Sequence, residues 1–157
     1  IANIVAVGTI RYEMIKPDLD KIITFDLKNS LRLEGDTCSY IQYSYARASR
    51  IIEKTDTNPN FDVGFEILSS DFEKSLIKKI AIFDVQIKDS VNNLSPKVIA
   101  KYSYDLAVTF SSFYEHVKVL KSETPELLNA RLCLVVSFQK TLKSSLELLG
   151  IDAPERM

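Results

Sequence analysis

"SYIQYSYARASRIIEK", Ser39 to Lys54, places three tyrosines and three cations within sixteen residues. Plotted at about 100° per residue from Tyr40, the residues Ile41, Tyr45, Ala48 and Ile52 fall within about 60°, the narrow apolar stripe of a helix packed on a core. On nearly the opposite side Tyr40, Tyr43, Arg47, Arg50 and Lys54 share an arc of about 80°. Flat rings beside guanidinium and ammonium groups suit unpaired bases and the phosphates that link them. A solvated face is the plainer reading, since half-exposed tyrosines and outward cations are common. From this face alone the plainer reading stands ahead.

Working outward, the same period recurs. Asp36 or Thr37 is placed to cap the tyrosine helix, which runs to about Lys54. Before it, "IANIVAVGTIRYEMI" reads as an apolar helix containing Gly8 and stopped by Pro17. "KIITFDL" is a short extended piece, and "DLKNSLRLEG" a brief helix closed by Gly35. After it, "TDTNPNFDVGFEILSSD" collects turn formers and predicts the longest loop. Ser70 with Glu73 forms a capping box that opens one helix through "FEKSLIKKIAIFDVQIKDSV". Ser95 as cap and Pro96 at the first helical position open the next, whose core face is Ile99, Tyr102, Leu106, Phe110, Phe113 and Val117. Thr124 and Pro125 repeat that arrangement. Leu128, Leu132, Val135, Leu142, Leu146 and Leu149 line the last helix, which Gly150 ends. The expected fold is all-α: a bundle of four long helices with shorter N-terminal helices.

Composition narrows the function. The 157 residues fit one domain, with 46% hydrophobic and 26% charged residues. A formal charge of -1 gives no overall basic field, so nucleic-acid binding would rest on a local patch. Two cysteines, Cys38 and Cys133, provide neither a disulfide framework nor a cysteine-type zinc site. No signal-like segment and no run of about eighteen apolar residues occurs, so the chain reads as soluble and cytoplasmic, with no membrane partner. It opens on Ile1, as expected of a piece of a longer protein.

Catalytic chemistry is missing. His116 is the only histidine, and its place in "FYEHVKVL" near a helix end favours a surface or helix-dipole role. Glycines at 8, 35, 64 and 150 match no phosphate-loop spacing. Glu66, Asp71 and Glu73 are explained by a loop and a capped helix, so no metal site is assigned. No catalytic residue and no cofactor is expected within this chain, which reads as a binding or scaffold domain.

Three stretches resemble the C-terminal part of the arginyl-tRNA synthetases, class I enzymes with a helical anticodon-binding domain of the DALR type. "VGTIRYEMI" with "ITFDL" is similar to the family's G-A-x-R-Y-x-x-L and F-D-W, which follow the signature lysine loop of the catalytic core. "LEGDTCSYIQYSYAR" is similar to F-E-G-N-T-G-P-Y-x-Q-Y-A-x-x-R, and "LLGIDAPERM" to L-L-G-x-x-x-P-E-x-M. Cys38-Ser39 replaces the family's Gly-Pro, and Leu27 its tryptophan.

The resemblance implies that residues 1–35 end the catalytic core or its linker and that residues 36–157 form the anticodon-binding domain. It implies contacts to the anticodon region from Tyr40, Tyr43, Arg47, Phe110, Tyr114 and Met157. Of the two aromatics in "FSSFY", Tyr114 is favoured, because helical periodicity places Phe110 on the core face. Arg50 and Lys54 are candidates for phosphates. The implied partners are an arginine-accepting tRNA and the catalytic domain of the same chain. The parent enzyme would ligate arginine to its tRNA using ATP with magnesium. An N-terminal helix exposing Ile4, Val5 and Ile10 could also make the fragment dimerise. A competing reading is a helical protein–protein module anchored by the tyrosines and arginines.

Overall fold

Apolar residues recurring every three or four positions fold as helices along this chain. The structure, a computed structural model, describes residues 1–18, 20–55 and 58–157, and no strand occurs among them. In chain order the helices are α1 (Ala2–Ile15), α2 (Leu27–Ser30), α3 (Cys38–Glu53), α4 (Asp71–Ala81), α5 (Phe83–Asn92), α6 (Lys97–His116) and α7 (Pro125–Leu148). Two short 3-10 turns, Phe65–Ile67 and Val119–Lys121, lie in the connections.

The core forms where α3, α6 and α7 meet. Phe110 and Phe138 stack there with centroids 3.8 Å apart, among Ile41, Leu106, Phe113, Leu132 and Leu142, all without exposed surface. Two polar pairs bridge helices in this interior. Ser103 Oγ lies 3.0 Å from Ser145 Oγ, and Gln139 Nε2 donates to Ser49 Oγ at 2.7 Å. Pairing of this kind offsets the cost of burying them.

α1 crosses α3 at Gly8, where a Cβ would meet Gln42 Nε2 at 2.9 Å and Cys38 Sγ at 3.0 Å. The glycine therefore allows the close approach. One turn further on, Tyr12 is fully buried and its hydroxyl donates to Asp36 Oδ1 at 2.6 Å. Gln42 Nε2 also donates to Asp152 O at 2.8 Å, tying the segment after α7 to α3. Gly150 turns the chain into that segment at φ 68°, a left-handed conformation that favours glycine.

The capping predictions hold at three sites. Thr37 Oγ1 accepts from Tyr40 N at 3.2 Å and so starts α3. Ser70 and Glu73 form the reciprocal box at α4, with Ser70 N donating to Glu73 Oε2 at 2.9 Å. Thr124 accepts from Leu127 N at 3.2 Å, with Pro125 opening α7.

Three expectations are corrected. The single helix predicted through residues 72–91 breaks at Ile82 (φ -84°, ψ 2°) into α4 and α5, so the all-helical bundle stands with one of its expected long helices in two pieces. The break turns Phe83 onto Tyr102 of α6, ring centroids 5.4 Å apart. α2 ends at Ser30, ahead of Gly35, which instead shapes the turn before Thr37 at φ 76°. Pro96 takes the cap position of α6 and the Ser95 side chain does not cap, while the Ser95 carbonyl accepts from Val98 N at 3.3 Å. Residues 22–26 belong to no helix or strand. Of the predicted long loop, Asp56 and Thr57 lie outside the described residues, and the remainder carries only the first 3-10 turn.

Candidate nucleic-acid interface

The Thr37 cap fixes where α3 begins, and helical geometry then aligns Tyr43, Arg47, Arg50 and Lys54 along one side. Facing them is the end of α6. Val117 N bonds to Phe113 O at 2.8 Å and closes the helix, after which Val117 turns extended (φ -112°, ψ 114°). Val117 and Val119 are buried, so the side chains of Lys118, Leu120 and Lys121 are left outside. The segment after Gly150 returns past α3 and brings Met157 to the same place.

Between these three pieces lies an open cleft of about 550 Å³. Its lining carries five cations, Arg47, Arg50, Lys54, Lys118 and Lys121, and no carboxylate side chain. None of the five makes an ion pair among the described residues, whereas Arg131, Arg156 and several lysines elsewhere do. A concavity lined with one sign of charge focuses potential, so the cleft supplies the local patch that a net charge of -1 withholds.

Two rings stand over this charge. The Arg47 guanidinium carbon lies 4.7 Å from the Tyr43 ring centroid and 4.5 Å from that of Tyr114, so one cation touches ring faces supplied by two helices. Cation–π contact on both sides restrains the rings and the guanidinium together. Tyr114 remains 42% exposed, leaving ring surface available to a planar partner.

Six of the eight residues proposed from the sequence therefore line one cleft: Tyr43, Arg47, Arg50, Lys54, Tyr114 and Met157. Two do not. Phe110 has 0% exposure, and its stacking partner is Phe138, so a base cannot reach it. Tyr40 is half-buried against α6, where its hydroxyl donates to Ser111 Oγ at 2.9 Å and its ring leans on Tyr104 with centroids 5.9 Å apart. Tyr40 ties α3 to α6, and Phe110 ties α6 to α7. Sequence reasoning missed Lys118 and Lys121, although "HVKVLK" alternates cations with apolar residues directly after a helix end.

His116 lies on the outer side, its ring stacked on Phe72 with centroids 4.0 Å apart and Nδ1 2.8 Å from Ser112 O. Among the described residues no three or more His, Cys, Asp or Glu side chains cluster as metal ligands, and no helix is long and apolar enough to cross a membrane.

Comparison with known proteins shows the family. The family model described as the DALR anticodon binding domain matches residues 41–157. The arginine–tRNA ligases of Methanothrix thermoacetophila and Clostridium botulinum are 44% and 40% identical over 157 residues, which is all of this chain and 28% of each relative. Among solved structures, Thermus thermophilus arginyl-tRNA synthetase superposes with a TM-score of 0.91 at 34% identity, over 99% of this chain and 27% of that one. The Plasmodium falciparum arginyl-tRNA synthetase gives 0.85 at 29% identity, over 99% and 28%. The chain thus spans little more than a quarter of the length of the relatives it matches.

Proposed function

We propose that this chain, which belongs to the family of DALR anticodon-binding domains, is the part of an arginine–tRNA ligase that holds the anticodon loop of its tRNA. The observation that carries the proposal is the cleft, in which five cations and two tyrosine rings converge with no carboxylate among the lining side chains. Anticodon bases, unpaired in the loop, stack on the rings of Tyr43 and Tyr114. Arg50, Lys54, Lys118 and Lys121 meet the phosphates, and Met157 adds a polarizable apolar contact. Arg47 orients the two rings. Tyr40 and Phe110 act behind them as supports.

In this reading residues 36–157 form the binding unit and residues 1–35 end the catalytic core or its linker. The ligation itself, arginine joined to tRNA at the expense of ATP, takes place on the remainder of the enzyme in the cytoplasm. The residues present do not fit ATP. Gly8 is packed against Gln42 and Ile151, Gly35 and Gly150 form isolated turns, and no glycine-rich loop remains to cradle phosphates. Val7, Ile10 and Met14 of α1, with Ile10 48% exposed, form the surface on which the catalytic domain packs, while Ile4 and Val5 are half-buried. When that domain is absent, the same surface makes dimers.

The test is a titration with an arginine anticodon stem-loop over a salt series. Log affinity should fall linearly with log salt, and Arg50→Ala or Lys54→Ala should each reduce the slope by about 0.9 or less. Slopes unchanged in both variants would take these cations out of the interface.

A further inference from the structure

The lysines at the foot of the cleft sit on residues 117–121, which are not part of a long helix, and something must hold that segment in place across the cleft from α3. Its two ends are gripped by the first turn of α4. At one end, Phe72 stacks on His116 with ring planes 10° apart. At the other, Glu73, whose side chain is 1% exposed, accepts from Arg131 Nε at 2.7 Å. Arg131 then donates through Nη1 to Ser122 Oγ at 3.2 Å, and the Ser122 hydroxyl donates to Val119 O at 2.7 Å. The other Glu73 oxygen is held by Ser70 N at 2.9 Å, so the carboxylate is anchored by the capping box itself.

We propose that Arg131 and Ser122 are positioning residues, through which the capped start of α4 braces the 117–121 wall and aims Lys118 and Lys121 into the cleft. The inference rests on the anticodon-loop reading and adds to it the part of the molecule that sets the phosphate contacts. A planar guanidinium is needed here because it serves Glu73 and Ser122 through two separate nitrogens, and a single ammonium cannot span both in that geometry.

The deciding variants are Arg131→Lys, which keeps the charge beside Glu73 and loses the reach to Ser122, and Ser122→Ala, which removes only the final link. Two readouts are taken on the full chain: hydrogen exchange at the amides of Val119 and Lys121, which bond to Val117 O (3.0 Å) and Lys118 O (3.1 Å), and affinity for the stem-loop over a salt series. Each variant should exchange faster at those amides, bind roughly three- to tenfold more weakly, and show a flatter salt slope. Together they should cost no more than either alone. A merely structural role would lower the melting temperature and leave the salt slope intact.

Unchanged exchange in both variants would overturn the brace. Faster exchange with unaltered affinity and slope would overturn its role in positioning. If the unaltered chain does not bind the stem-loop, the anticodon reading is what has failed, and the exchange measurement alone then decides whether the brace exists.

Discussion

Arg47 touches two ring faces from two helices, and the value of each residue around it depends on what lies behind it. Tyr43 and Tyr114 stand at the cleft, so each alanine variant should cost about 1–3 kcal/mol of RNA binding, read by titration with the stem-loop. Tyr40→Phe removes a hydroxyl bonded to Ser111 and should leave RNA affinity unchanged while lowering stability by about 0.5–1.5 kcal/mol in a denaturant melt. Phe110→Ala opens the stacked core and should cost about 3–5 kcal/mol of stability. The helical plot of the tyrosine stretch could not separate Tyr40 from Tyr43, because both lie on one arc and the angle carries no information on where α6 stands. Tyr40 falls at the edge that α6 covers. Phe110 was legible as core from its spacing with Leu106 and Phe113, and burial bears out that periodicity.

At the scale of elements, the caps are local chemistry and were readable as such: Thr37, the Ser70–Glu73 box and Thr124 each bond within three residues. The break at Ile82 was not, since no glycine or proline marks it and the packing that goes with it, Phe83 on Tyr102, is made to another helix. The approach of α1 to α3 has a consequence for pH. Burial, and after it the charge of Glu13, pushes the Cys38 thiol from 9.0 up to about 12. Burial, then the hydrogen bond and charge of Asp36, raises the Tyr12 hydroxyl as well. The folded state therefore keeps protons that the unfolded chain releases. Its stability should be full below about pH 9 and fall steadily toward pH 12. Denaturant melts across that range check this, and Cys38→Ala should soften the decline. A smaller strain sits between α5 and α6, where Leu94 holds φ 49°. Leu94→Asn should raise stability by about 0.5–1 kcal/mol, since asparagine tolerates the left-handed conformation better.

The whole molecule joins pieces distant in sequence. The cleft takes one wall from α3, another from the end of α6 and its following turn, and a third from the segment after Gly150. Helical class was legible because amphipathic spacing is set locally, whereas Lys118 and Lys121 entered the site only through tertiary packing. α1 belongs to the same packed body, with Tyr12 buried and bonded to Asp36. Deleting residues 1–35 should therefore lower the melting temperature by several degrees as well as remove an apolar surface. Sedimentation of the intact chain and of the shortened one compares the two effects: dimers should form with α1 and disappear without it.

Whether the cleft reads an anticodon loop is decided by binding of this chain to an arginine anticodon stem-loop and to one with a swapped anticodon, each at low and moderate salt. Preference for the arginine loop should persist as salt rises, because ring and base-edge contacts are less screened than phosphate contacts. Equal affinity for the two loops, vanishing together as salt rises, would contradict base reading by Tyr43 and Tyr114 and leave the cleft a nonspecific cationic groove.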